Sequence, residues 1–124
     1  MTTGTTTEWD VTSASGTPTL FSTSGTTISI HILKINSSAT VINLGANFTV
    51  DANSGNKLWI ASGVLNQENR TITAGANATL QIDSGGTLCL GGTTGSTTSD
   101  CVSGAAQTTA QAMPSFTTYT FDAA

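Results

Sequence analysis

In the stretch Ala78-Thr79-Leu80-Gln81-Ile82-Asp83-Ser84-Gly85-Gly86-Thr87-Leu88-Cys89-Leu90-Gly91-Gly92, a short apolar alternation recurs eight residues on, with a glycine pair between the copies. Leu80 and Ile82 are answered by Leu88 and Leu90, and the same interval separates Val50 from Leu58 and Ile72 from Leu80. Alternation with period two places successive side chains on opposite faces of a strand. Glycine supplies the tight turn that lets the next strand follow. A chain that repeats strand and turn at a fixed interval buries a continuous apolar column by stacking, and its backbone groups are satisfied by the neighbouring coils. The spacing therefore predicts an all-β fold, a short parallel β-solenoid with terminal caps.

Other segments fit the same scheme. Ile28, Ile30 and Ile32 alternate strictly, and Leu33-Lys34-Ile35 then shifts the phase, which predicts a bulge or corner at Ile32-Leu33. Further strands are expected over 39–44, 47–52, 57–61, 70–73, 79–82 and 87–90. The connectors between them, such as Asn53-Ser54-Gly55-Asn56, are rich in turn-forming residues. The chain reads as one module over 1–124: an irregular leading segment or cap over 1–25, a strand array over 26–92, and a loop with a terminal strand or cap over 93–124. Antiparallel strands joined by glycine-rich turns leave a similar pattern, so a β-sandwich or jelly roll is the alternative fold. Phe116-Thr117-Thr118-Tyr119-Thr120-Phe121 reads as a last strand in either.

Charge narrows the partners. Lys34, Lys57 and Arg70 stand against seven acidic residues, so no cationic surface exists to release counterions from a phosphate backbone, and nucleic acid is not an expected partner. No run approaches the ~20 apolar residues needed to cross a bilayer, so no membrane insertion is expected. The first seven residues have neither a basic segment nor an apolar core, so export would use a signal removed earlier or lying upstream. Cys89 lies between Leu88 and Leu90, an alternation that turns the sulfur outward, and Cys101 follows a flexible Gly/Thr/Ser stretch. A Cys89–Cys101 disulfide is the expectation, and with it an oxidising, extracellular or cell-surface location.

Ser38-Ala39-Thr40-Val41, Ala78-Thr79-Leu80-Gln81-Ile82 and Gly86-Thr87-Leu88-Cys89-Leu90 carry a resemblance. Over 26–92 the chain resembles the glycine-punctuated repeats of parallel β-helical bacterial surface proteins, including adhesin stalks and autotransporter-like passenger domains. The resemblance implies a secreted or surface-attached stalk. The expected function is that of a non-catalytic structural module of a surface adhesin or filament. Its partners would be copies of itself or neighbouring domains of a longer surface protein.

No residue pattern argues for an enzyme. His31 alternates with isoleucines and reads as a solvent-facing strand residue. No serine sits in a Gly-x-Ser-x-Gly elbow, and no phosphate loop is present. Asp51-Ala52-Asn53-Ser54-Gly55-Asn56 lacks the glycine and glutamate spacing of a calcium loop and reads as a turn. No metal and no cofactor are expected. Asn-x-Ser/Thr sequences begin at Asn36, Asn47, Asn69 and Asn77, a number that abundant Ser and Thr produce by chance. A carbohydrate-binding β-rich domain is the alternative function, and its candidate glycan contacts are Trp9, Trp59 and Tyr119.

Overall fold

The computed structural model describes residues 7–21, 28–38, 41–90 and 112–122. Ten strands follow one another: β1 (Glu8–Val11), β2 (Thr19–Leu20), β3 (Ile28–Ile30), β4 (Ile32–Asn36), β5 (Ile42–Leu44), β6 (Phe48–Val50), β7 (Lys57–Asn66), β8 (Ile72–Ala74), β9 (Thr79–Cys89) and β10 (Thr118–Phe121). Every pairing between them is parallel. That makes the fold a parallel β-solenoid and excludes the antiparallel sandwich or jelly roll, whose strands would alternate in direction.

The coil has three sides. On the first, β1, β4, the first half of β7, the first half of β9 and β10 lie side by side. On the second, β2, β5 and the second halves of β7 and β9 do so, and on the third, β3, β6 and β8. Register fixes the repeat length: Trp9, Leu33, Leu58 and Leu80 stand one above another, at steps of 24, 25 and 22 residues. The eight-residue interval is thus one side of the coil rather than one whole turn. Val50 is on the third side, and Leu58 is on the first side of the following turn. The leading segment takes part as well, because β1 and β2 form the first layer of two sides.

Inward positions follow from the alternation. One first-side column runs Trp9, Leu33, Leu58, Leu80, Tyr119, and its neighbour runs Val11, Ile35, Ile60, Ile82, Phe121. Leu20 and Leu44 on the second side and Ile28, Phe48 and Ile72 on the third face the same core. Leu33, Ile35, Leu44, Phe48, Val50, Leu58, Ile60, Leu65 and Leu80 have no exposed surface. The β-branched and aromatic residues that fill the strands fit a pleated, half-buried surface. The phase shift near Ile32 is a corner at His31, one residue earlier than the sequence predicts, so Ile32 faces outward and Leu33 inward.

Two glycines allow the long strands to bend from one side to the next. Gly63 has φ +84°, and a Cβ there would stand 2.5 Å from the Ser37 carbonyl oxygen. At Gly86 a Cβ would run into the Ile60 carbonyl oxygen of the preceding layer. The pairing of β7 with β9 shifts register between Ile60 and Ser62, where this corner lies.

The cysteine reading needs correction. Cys89 stacks on Asn66 and Asn43, the positions that alternate with the core residues Leu65 and Ile42, so its outward direction holds, but at 9% exposure it is covered rather than open. A local period of two gives the direction of a side chain, but not what covers it. The expected partner, Cys101, lies outside the described residues. Cys89 itself is not a free thiol.

Candidate functional site

The outer face of the first side carries five of the chain's ten charged residues, Glu8, Asp10, Lys34, Lys57 and Asp83. Its outward row runs Asp10, Lys34, Trp59, Gln81, Thr120, directly stacked across five strands. Trp59 lies between two ammonium groups, with Lys34 Nζ 4.2 Å and Lys57 Nζ 4.7 Å from the ring centroid. Lys34 comes from the strand above and Lys57 from two residues earlier on the same strand, so both reach the electron-rich face of the indole. Lys34 also lies 3.8 Å from Glu8 Oε1. Lys57 Nζ donates to Gln81 Oε1 at 3.0 Å, and Gln81 Nε2 donates to Asp83 Oδ1 at 2.8 Å. Trp59 Nε1 donates to Asp83 Oδ2 at 2.7 Å.

Asp83 is the anchor of this network. Each of its carboxylate oxygens accepts a hydrogen bond, from Gln81 and from Trp59, and these hold its pKa below the ordinary 3.8. Lys57 and Lys34 add to the same effect, while burial opposes it. A carboxylate fixed in its ionised form by neutral donors suits a structural acceptor better than a proton carrier, which needs a pKa near the working pH.

A second polar cluster straps three layers together where the third side turns into the first. Ser29 Oγ donates to Asp51 Oδ1 at 2.7 Å, and His31 Nε2 lies 3.5 Å from Asp51 Oδ2. The Thr7 backbone N–H donates to His31 Nδ1 at 3.2 Å. His31 is therefore a corner residue with two partners rather than an unengaged strand residue. The serine points at the carboxylate and not at the imidazole, so this is not the order in which a triad passes a proton from its nucleophile. Nearby, the 51–56 segment is a turn: Asn56 Nδ2 donates to the Asp51 carbonyl at 3.0 Å, and Gly55 has φ +95°. On the second side, Asn66 Nδ2 donates to Asn43 Oδ1 at 3.0 Å, linking two layers through a residue only 1% exposed.

The three candidate glycan contacts do not converge. Trp9 and Tyr119 are the first and last members of one inward column, four strand steps or roughly 19 Å apart. Trp59 is on the opposite face of the same sheet. Trp9 packs against Phe21 with ring centroids 6.1 Å apart. Tyr119 packs against Phe116 and Phe121, and its hydroxyl accepts from the Phe116 N–H at 2.9 Å and donates to the Pro114 carbonyl at 3.0 Å. The network around Trp59 and the strap at His31 are not marked by any short motif. Their layer-to-layer partners are 20 to 26 residues apart, and only the turn length brings them together. Among the described residues no three of His, Cys, Asp and Glu are grouped as metal ligands would be. Comparison with protein-family models, with curated proteins and with solved structures finds no match for the chain.

Proposed function

We propose that the chain is a non-catalytic structural module of an extracellular or cell-surface assembly, a rod segment of an adhesin stalk or filament. The observation that carries this reading is the outer face of the first side. Its side chains are spent on one another from layer to layer, Glu8 to Lys34, Lys34 to Trp59, Lys57 to Gln81 and Trp59 to Asp83, so the polar surface braces the stack. With Trp59 flanked by lysines and its N–H engaged by Asp83, the ring is occupied as a brace rather than held open as a sugar platform.

Two measurements test the proposal. Fractionation of the native source with an antibody to the folded chain should recover it with surface fibres or secreted material, and recovery in the soluble cytoplasmic fraction contradicts the reading. A glycan screen should return no specific ligand. A sugar bound by the wild type and lost in Trp59→Ala, with the fold unchanged by circular dichroism, would replace the scaffold by the carbohydrate-binding alternative.

A further inference from the structure

We infer that the two ends of the first side are complementary halves of a head-to-tail contact, in which β1 of a second copy of this chain adds as a parallel strand to the outer edge of β10. The inference rests on the scaffold reading and gives it a partner and a register. Among the described residues β1 pairs only with β4, and β10 only with β9. The two free edges are opposite edges of one parallel ladder, so β1 of the next copy continues at β10 the pairing sense already present in eight ladders. Such a contact is heterologous and leaves an edge free at each end, so it propagates.

The residues that would meet agree with this. Both strands have four residues, Glu8–Val11 and Thr118–Phe121. In the register of the existing columns, Trp9 of the incoming copy falls over Tyr119 and Val11 over Phe121. Among the described residues, these apolar positions include three of the four exposed large hydrophobic side chains: Trp9 at 48%, Tyr119 at 42% and Phe121 at 57%. On the outer face Glu8 falls over Thr118 and Asp10 over Thr120. The two carboxylates of β1 thus meet hydroxyls and not other carboxylates. β10 is also the outermost described strand of its end, because the first side stacks five strands where the second stacks four and the third three. Two strands of this length bury far less than the ~1,000 Å² of a stable interface, so the contact is weak between single copies and grows with concentration.

Zero-length carbodiimide coupling of Thr120→Lys reads the register directly. The new amine should couple to Asp10 of another copy, giving a ladder of dimers and higher oligomers. Mixing 15N-labelled with unlabelled protein should yield mixed-isotope peptides joining position 10 to position 120. Within one copy these positions are four strand steps apart, roughly 19 Å, too far for such a bond. Adding Phe121→Asp, at a side chain already more than half exposed, should lower the yield at least tenfold while circular dichroism stays unchanged. Coupling confined to single copies, coupling spread evenly over the acidic residues, or a yield indifferent to Phe121→Asp would each overturn the contact. Any of these would leave the single-copy rod intact, whereas a specific sugar ligand would remove the scaffold reading itself.

Discussion

Leu58 and Trp9 occupy the same inward column, yet one has no exposed surface and the other is 48% exposed. The difference is in their neighbours, not in their direction. Leu58 has Leu33 above and Leu80 below, while Trp9 has Leu33 on one side and no described strand on the other. Tyr119 repeats the situation at the far end, at 42%. In a stacked coil, burial is a property of the layer and only secondarily of the residue, which is why stability in such folds is nearly a sum of neighbour terms. The ends answer with large aromatic side chains, and Phe116 covers the core beneath the last layers at 6% exposure.

The largest effect expected from this contrast is on packing. Leu58→Ala should cost about 2–5 kcal/mol, since a cavity opens in a fully enclosed layer. Trp9→Ala should cost less, about 1–2 kcal/mol, because nearly half of its surface is already in water. Equilibrium denaturation of the two variants checks the order, and a Trp9→Ala loss equal to or above that of Leu58→Ala would break the comparison.

Glycines sharpen it further. Gly86→Ala sets a methyl group against the Ile60 backbone between two layers and should cost about 1–3 kcal/mol. Gly16→Ala, near the first layer, meets nothing within 4 Å, so only its φ of +80° is strained, at about 1 kcal/mol. Thermal melts of both variants would reveal whether contact between layers or local backbone dominates.

The smallest effect belongs to the outer network. The pKa of Asp83 is lowered by its bonds to Gln81 and Trp59, so the carboxylate's contribution is fully present above the ordinary 3.8 and is lost as pH falls through the lowered value. The carboxyl carbon of Asp83, followed by NMR, should titrate below 3.8, and the Trp59 indole N–H resonance should shift in the same acid window. Trp59→Phe, which removes the N–H donor, should return the Asp83 midpoint toward the ordinary value. An Asp83 midpoint at or above 3.8 in the wild type would remove the network as a layer-to-layer brace.

The alternation in Thr79–Cys89 and the glycine pair inside it made the strands and their coiling legible, because period two and glycine turns are local. The number of sides was not legible. It depends on how far each corner turns, and Val50 and Leu58 look like successive members of one eight-residue repeat until their register is known. Trp59 could be assigned an outward direction from its neighbours Leu58 and Ile60, but its partners Lys34 and Asp83 come from adjacent layers. A reading with a period near 24 would have aligned Asp10, Lys34, Trp59 and Gln81. The outward direction of Cys89 was local in the same way, but its low exposure was not legible, since what covers it is not encoded in its own strand.

Parallel stacking in this register is the claim on which the rest depends, and through-space proton contacts in isotope-labelled protein test it most directly. Sequential layers should give contacts linking Leu33 to Leu58 and Leu58 to Leu80, with the Thr79 amide bonded to the Asn56 carbonyl and the Lys57 amide to the His31 carbonyl. Close Hα–Hα pairs between β4 and β7 or between β7 and β9, the mark of antiparallel neighbours, would contradict the account.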